Sequence, residues 1–206
     1  MPPPDDMWDP ASAGLCAIYS HVGSGFSRIV RGTPNWRGRC SFGRVLRPHP
    51  QHLANFPYIG KHRYSLRFCT NRRARVFCEA KRVTLVLSQI VRAASECDIA
   101  VVAYCFMPDH LHLLVQGQTD SSDCKRFIAR AKQYSGFYYW REFGQQLWQR
   151  YGFERVLRED ETTEVVARYI VENPMRAGLV ERVDEYPYMG SFVYDLNTLL
   201  ASIQHF

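Results

Sequence analysis

The sequence predicts an α+β sandwich in which an antiparallel sheet carries its helices on one face. Between residues 56 and 195, segments of strand length alternate with segments whose apolar residues recur at helical spacing. Their order is strand, helix, strand, strand, helix, strand. This is the order of a ferredoxin-like fold, the arrangement that RNA-recognition modules share.

The first half of the pattern contains a helix and a strand hairpin. Residues 64–69 alternate apolar and polar side chains, which is typical of a half-buried strand. A basic turn follows, and helical apolar spacing then predicts a helix over about residues 78–96. Residues 99–106 are apolar and rich in β-branched side chains, which favours a buried strand. The turn Met107-Pro-Asp109 reverses the chain into a strand over residues 111–116.

The second half begins with a helix predicted over about residues 122–142, followed by an edge strand within residues 148–157. A third helix is expected to begin near residues 161–163 and to end at Asn173, because Pro174 disfavours helical geometry in the residue before it. The chain after residue 175 is expected to wrap the outside of the domain.

The chain ends differ from this pattern. Residues 1–55 are rich in proline, glycine and arginine, contain no lysine and show no sustained period of 2 or 3.6. We interpret them as a flexible extension. We therefore expect three parts: this extension, a folded domain over residues 56–195, and a tail over residues 196–206 with a short helix.

Composition and charge limit the class of protein. The 206 residues are 46% hydrophobic and 14% aromatic, which suffices for a core and argues against a disordered chain. No apolar run approaches the ~18 residues that span a membrane, and the acidic start does not resemble a secretory signal. We therefore expect a cytoplasmic protein without a membrane partner, whose seven scattered cysteines are reduced thiols. The formal charge of +6 permits a polyanionic partner without establishing one.

His110-Leu-His112 is the most informative short motif. In a strand, side chains two residues apart point to the same face, with α-carbons about 6–7 Å apart, so both imidazoles can reach one metal ion. So short a motif also fits two histidines on a half-polar strand face without a ligand. Its position directly after a tight turn, where side chains are accessible, favours the metal. Tyr169 and Asn173 share a helix face one turn apart, a pair that carries no functional prediction by itself.

Two longer motifs give these residues a context. The segments Phe106-Met-Pro-Asp-His-Leu-His-Leu-Leu-Val115 and Tyr169-Ile-Val-Glu-Asn-Pro-Met-Arg-Ala-Gly-Leu-Val180 occur in this order. Together they resemble the single-tyrosine HUH transposases, and more narrowly the IS200-like branch associated with repetitive extragenic palindromes (REP). The resemblance covers about residues 57–195, which would make this part the catalytic domain.

The resemblance implies metal-dependent cleavage and strand transfer of single-stranded DNA at hairpins, through a 5′-phosphotyrosine intermediate. Tyr169 would be the nucleophile, and His110, His112 and Asn173 would hold Mg²⁺ or Mn²⁺. A phenol is a poor nucleophile at neutral pH but a reasonable leaving group, which suits reversible transfer. The cation would offset the charge that develops on the phosphate. If the strand already includes the neighbouring Asp109, alternation predicts that its side chain points away from the ligands. We otherwise expect Asp109 to serve in the turn or to support a ligand.

The oligomeric state stays open at this point. In the family that the motifs resemble, the tyrosine helix comes from the same chain or from a partner subunit, so a monomer and a homodimer are both compatible. We expect the same chain to supply it, as in the REP-associated branch.

Cations and aromatic rings are the candidates for contacts with DNA. Exposed cations bind phosphate and set affinity and salt dependence, whereas rings can stack on unpaired bases. Of the candidate rings Trp148, Tyr138 and Tyr139, we expect two to lie in the core. The candidate phosphate contacts are Arg72, Arg73 and Arg75 in the first turn and Lys125, Arg126, Arg130 and Lys132 on the second helix.

Three other interpretations remain open. A non-catalytic module could bind palindromic DNA or RNA, although the aromatic-rich strand of RNA-recognition domains is missing. A metal-dependent phosphodiester hydrolase would use the two histidines with Asp109 or Glu172 and would form no covalent adduct. A domesticated descendant of a transposase would bind palindromes without cleaving them.

Overall fold

The computed structural model describes residues 56–150, 152–157 and 162–195. The extension predicted over residues 1–55 and the helix predicted within residues 196–206 lie outside the described residues. The helices and strands are β1 (Arg63–Cys69), α1 (Ala80–Ser95), β2 (Ile99–Met107), β3 (His110–Gly117), α2 (Cys124–Phe143), β4 (Phe153–Val156), α3 (Thr163–Val171), α4 (Asn173–Arg176) and β5 (Met189–Gly190), with 3₁₀ turns at Asn71–Arg73 and Val183–Glu185.

The five strands form one antiparallel sheet in the order β4-β1-β3-β2-β5. Its first four members have the ferredoxin-like order, so the predicted α+β fold is confirmed. β3 lies at the centre of the sheet and is joined to β2 by the two-residue turn Pro108-Asp109. This tight connection fixes the register, with Met107 opposite His110 and Cys105 opposite His112.

One face of the sheet packs against α1 and α2, as the prediction requires. The ring of Phe68 in β1 contacts Trp148, whose Nε1 donates a hydrogen bond to Ser135 of α2 at 2.8 Å. Phe68 lies opposite Leu111 in the strand register, so the odd-numbered residues of β3 share this face. The fully buried β3 residues here are Leu111, Leu113 and Val115.

α3 follows the six ferredoxin-like elements in the chain and packs against the opposite face. Its buried side, which includes Ile170, forms one apolar cluster with Leu114 of β3 and Cys105 of β2. Leu114 is even-numbered and therefore shares its face with His110 and His112. The helix that carries Tyr169 thus lies on the same side of the sheet as the histidine motif.

Local signals explain where the helices begin and end. Asp123 caps α2 by accepting a hydrogen bond from the Arg126 amide, and α2 ends at Gly144, whose φ of 65° suits glycine. Thr162 caps α3 in the same way. The expected end of α3 at Asn173 is wrong: α3 ends at Val171, and α4 begins at Asn173 with a proline in its first turn, where a missing amide proton is tolerated.

Close backbone packing and the final strand complete the described domain. A Cβ at Gly117 would lie 2.0 Å from the carbonyl oxygen of Gly60, so only glycine fits this crossing. β5 pairs with the outer edge of β2, and the Tyr186 hydroxyl donates to the Phe106 carbonyl at 2.6 Å. The chain after residue 175 thus covers one sheet edge. Among the described helices, none combines the length and apolar character that a bilayer crossing requires.

Candidate active site

The β2–β3 turn places the two histidines at the start of the central strand. His110 is the first residue of β3, and His112 follows on the same face. Their Nε2 atoms are 3.0 Å apart, and their rings lie at 74° to each other. Two imidazole nitrogens at this distance converge on one point in space.

Asp109 orients His110. One carboxylate oxygen accepts a hydrogen bond from His110 Nδ1 at 2.6 Å, and the other pairs with Arg73 Nε at 3.1 Å. Asp109 belongs to the turn, and the alternation of the strand starts only at His110, so the condition under which Asp109 would point away is not met. A proton on Nδ1 leaves Nε2 of His110 unprotonated, so that this nitrogen can accept a hydrogen bond from His112 Nε2 or bind a cation in its place.

Electrostatics favour an ionised Asp109 and a neutral His112. Burial raises the pKa of the Asp109 carboxyl, but the hydrogen bond from His110 and the charges of His110 and Arg73 outweigh it and hold that pKa below its ordinary value. Burial, and then the positive charges of His110, Arg67 and Arg73, lower the pKa of His112 to about 3. His112 is therefore neutral at pH 7 and keeps a lone pair on its ring.

The Nε2 atoms of His110 and His112 are placed to bind one divalent cation, but they supply only two ligands. Two nitrogens in adjacent positions around an octahedral ion, each bound at about 2.1 Å, lie about 3 Å apart, which matches the separation of the two Nε2 atoms. The described residues contain no cluster of three or more His, Cys, Asp and Glu side chains suited to a metal. A cation held here would therefore keep open positions for water and phosphate oxygens.

The side-chain amide of Asn173 is hydrogen-bonded to the backbone at the end of α3. Its Nδ2 donates to the carbonyl oxygens of Tyr169 at 2.9 Å and Ile170 at 3.2 Å. This arrangement turns Oδ1, the atom that a cation would bind, away from the helix backbone. In the part of the chain that the structure describes, no hydrogen bond joins Asn173 to either histidine.

Tyr169 lies on the outer side of α3. Its side chain is 50% exposed, and the guanidinium carbon of Arg176 lies 4.7 Å from the centre of its ring. Arg176 also pairs with Glu172, a buried carboxylate that Arg168 contacts from its other side. Within the described residues, no hydrogen bond or ring contact joins Tyr169 to His110 or His112. The phenol is accessible and on the correct side of the sheet, but it is not in contact with the histidines.

The predicted phosphate contacts divide between the two sides of the sheet. Arg72, Arg73 and Arg75 are exposed in and after the Asn71–Arg73 turn, which is anchored next to the histidines because the Thr70 amide donates to the Asp109 carbonyl at 3.0 Å. Arg72 and Arg73 have φ angles of 53° and 57°, a left-handed conformation that costs roughly 1–2 kcal/mol per residue.

The four predicted cations of α2 lie on the side of the sheet away from the histidines. Arg130 pairs with Glu96 at 2.5 Å, and the Lys125 ammonium lies over the Tyr58 ring. The half-buried Lys132 donates to the carbonyls of Gln149 and Arg150, so it has a structural partner. Arg126 remains exposed.

The prediction that Trp148 stacks on DNA bases needs correction. Its side chain is only 6% exposed and packs against Phe68 and Phe77, while its indole nitrogen is bonded to Ser135. Its ring therefore offers no free face to an unpaired base. Tyr139 is also buried, whereas Phe137 and Trp140 of the same helix are exposed.

The sequence analysis did not identify three arginines, Arg63, Arg67 and Arg155, that lie on the same face of the sheet as the histidines. Arg67 lies directly opposite His112 in the β1–β3 register, and Arg155 of β4 lies opposite Ser65 on the same face. Arg63 belongs to this face as well and donates to Thr163 at the start of α3. The alternation of β1 was visible in the sequence, but its register against β3 was not.

Comparisons with known proteins agree with this architecture. The family model described as Transposase IS200 like matches residues 58–173, a range that includes His110, His112, Tyr169 and Asn173. A curated Haemophilus influenzae protein with the name REP-associated tyrosine transposase is 31% identical, over 42% of this chain and 56% of its own length. The chain therefore spans little more than half of that relative.

A solved structure shows a similar fold. It is that of a REP-associated tyrosine transposase bound to a REP hairpin, and it matches with a TM-score of 0.57 and 18% identity over 68% of this chain and 82% of its own. At this identity the match supports the fold alone. The family model covers more than half of the chain and contains the first long motif and the start of the second, up to Asn173. The resemblance predicted from the sequence is thus confirmed, and the chain belongs to the IS200-like transposase family.

Proposed function

We propose that the protein cleaves single-stranded DNA beside a hairpin and transfers the strand through a phosphotyrosine bond at Tyr169. The observation that carries this proposal is the convergence of the two Nε2 atoms at 3.0 Å, with His110 held by Asp109. The helix of Tyr169 packs on the same sheet face. Family membership and the hairpin-bound relative of similar fold support the choice of substrate.

Each residue has a defined part in this proposal. His110 and His112 would hold Mg²⁺ or Mn²⁺, with Asn173 as a third candidate ligand. The cation, when bound, supplies a Lewis acid that polarises the phosphate oxygens. Tyr169 Oη forms a bond to phosphorus while the bond from phosphorus to the 3′ oxygen breaks. The phenol loses its proton, and the departing 3′ oxygen gains one, which leaves a free 3′-OH and a 5′-phosphotyrosine.

The separation of Tyr169 from the histidines bears on the oligomeric state. An exposed tyrosine that does not contact the histidines of its own chain can approach them by movement of its helix or can serve the histidines of a second copy. We favour the same chain, so a monomer should suffice. Mixing Tyr169→Phe with His112→Ala tests this: restored cleavage in the mixture would show that subunits share sites and would contradict the monomer.

The direct test is a covalent adduct. The full chain is incubated with a labelled DNA hairpin that carries single-stranded flanks, in the presence of Mn²⁺, and is analysed on a denaturing gel. We expect a slow-migrating protein–DNA band that Tyr169→Phe abolishes and His112→Ala weakens at least a hundredfold. Tyr194→Phe is the matched control, because Tyr194 is also exposed and lies outside the site.

The other outcomes identify the alternatives. Cleaved DNA without an adduct would contradict the proposal and indicate a hydrolase that uses water. Binding without cleavage, with several hairpins and with both metals, would contradict it in favour of a palindrome-binding module or a domesticated descendant.

A further inference from the structure

A groove lies between α2 and the segment that follows it. Its volume is about 400 Å³, within the range of about 300–1,000 Å³ that small-ligand sites occupy, and it is open to solvent on one side. Gly136 and Trp140 of α2 line one wall, and residues 146–150 line the other. An open groove of this size can admit one flat ligand that remains attached to a longer chain.

The lining has the chemistry of a nucleobase site. Trp140 is 59% exposed, so its indole offers a large ring surface for stacking. The amides of Gln133 and Gln149 also line the groove and make no side-chain hydrogen bond to another described residue. Amides can both donate to and accept from base edges. No acidic residue is among the lining residues, and Lys132 and Arg150 are.

The walls of the groove are fixed before any ligand arrives. The floor is the buried Trp148, whose indole nitrogen is held by Ser135. Lys132 reaches across from α2 and donates to the carbonyls of Gln149 at 2.9 Å and Arg150 at 3.1 Å. A preformed groove lowers the ordering cost of binding.

Backbone hydrogen bonds connect the groove to the candidate active site. The Asn71 amide donates to the Leu147 carbonyl at 2.7 Å, and the Gln149 amide donates to the Cys69 carbonyl at 3.0 Å. The amide of Thr70, the residue before Asn71, donates to the Asp109 carbonyl, next to His110. The exposed Arg72 and Arg73 thus lie in the turn between the groove and the histidines, where a phosphate backbone could run.

We propose that this groove binds an unpaired base of the single-stranded DNA that flanks the hairpin, by stacking it on Trp140. The proposal rests on the proposed function only in taking single-stranded DNA as the ligand. Cleavage itself is not required, so the two can fail separately.

The test compares two probes on the full chain in the Tyr169→Phe background, which prevents cleavage. One probe is a DNA hairpin with single-stranded flanks of mixed sequence, and the other has the same flanks with abasic sites in place of the bases. Because stacking contributes about 1–3 kcal/mol per base, Trp140→Ala should weaken binding of the first probe about five- to 150-fold. It should change binding of the abasic probe less than twofold.

Two further variants control for damage to the fold. Phe137→Ala removes another exposed ring of α2 that does not line the groove, so it should leave both affinities unchanged. Gly136→Met fills the groove without removing a side chain, since a Cβ at this position meets only the Trp148 ring at 3.7 Å. It should reproduce the loss caused by Trp140→Ala.

Three results would overturn the proposal: wild-type affinity of Trp140→Ala for both probes, equal weakening of both probes, or the same loss in Phe137→Ala. If base-dependent binding holds but no covalent adduct ever forms, the groove stands and the cleavage proposal fails. If the adduct forms without this base dependence, the reverse is true.

Discussion

The two faces of the sheet have opposite characters, and β3 shows both within a single strand. Leu111, Leu113 and Val115 point to α1 and α2 and are fully buried. The alternate residues His110 and His112 point to the other face, where the apolar cover of α3 reaches Leu114. The first face is a core built of apolar contacts. The second combines a smaller core with imidazoles and arginines, so the chemistry is concentrated where packing is incomplete.

The largest expected effect comes from replacing two adjacent residues of β3 that point to opposite faces of the sheet. Leu113→Ala should lower the free energy of unfolding by about 2–5 kcal/mol, because it removes a fully buried side chain and leaves a cavity. His112→Ala should cost less than half as much at pH 7, while it removes most of the cleavage activity. Chemical denaturation measures both. Equal destabilisation by the two variants would show that His112 is mainly a packing residue.

The second test uses pH. The unfolded chain protonates His112 near its ordinary pKa of 6.5, whereas the folded chain does so only at about 3. Stability should therefore fall as the pH decreases from 6.5 towards 3, by about 2–3 kcal/mol at pH 4.5 from this residue alone. His112→Gln should remove that part of the pH dependence. An unchanged slope in the variant would contradict a buried, neutral His112.

The third test concerns Asp109. Asp109→Asn keeps a hydrogen-bond acceptor for His110 but loses the negative charge, so Mn²⁺ affinity should fall about ten- to a hundredfold. Titration followed by electron paramagnetic resonance measures the affinity, and thermal unfolding serves as the control for the fold. Unchanged affinity would mean that His110 binds a cation without help from Asp109.

The smallest expected effect is on the salt dependence of DNA binding, and it compares one arginine from each side of the sheet. Arg67→Ala on the histidine face should reduce by about 1 the slope of log binding affinity for a DNA hairpin against log salt concentration. Arg126→Ala, an exposed cation on α2, is the matched variant and should leave the slope unchanged. The opposite result would place DNA phosphates at the start of α2, around Arg126, as the sequence pattern of basic residues also allowed.

The apolar face was largely predictable, because its signals are local. The periodicity of Val83, Leu87 and Ile90 predicted α1, and the Pro108-Asp109 turn predicted the hairpin that presents the histidines. These features depend on residues that are close in sequence.

The details of the site depend on pairings between distant segments. The position of Arg67 opposite His112 requires the β1–β3 register, and the burial of Trp148 requires its bridge to Thr70 beside β1. The face that α3 covers depends on its packing against Leu114 and Cys105, which are distant in sequence. The roles of Tyr169 and Asn173 came from resemblance alone.

The most direct test of the account identifies the residue that carries DNA. The covalent adduct is digested with nuclease and trypsin, and the peptides are analysed by mass spectrometry. Cleavage after Arg168 and Arg176 releases the peptide Tyr-Ile-Val-Glu-Asn-Pro-Met-Arg, in which Tyr169 is the only tyrosine. We expect a nucleotide mass on this peptide. A nucleotide on any other tyrosine, or cleaved DNA with this peptide unmodified, would contradict it.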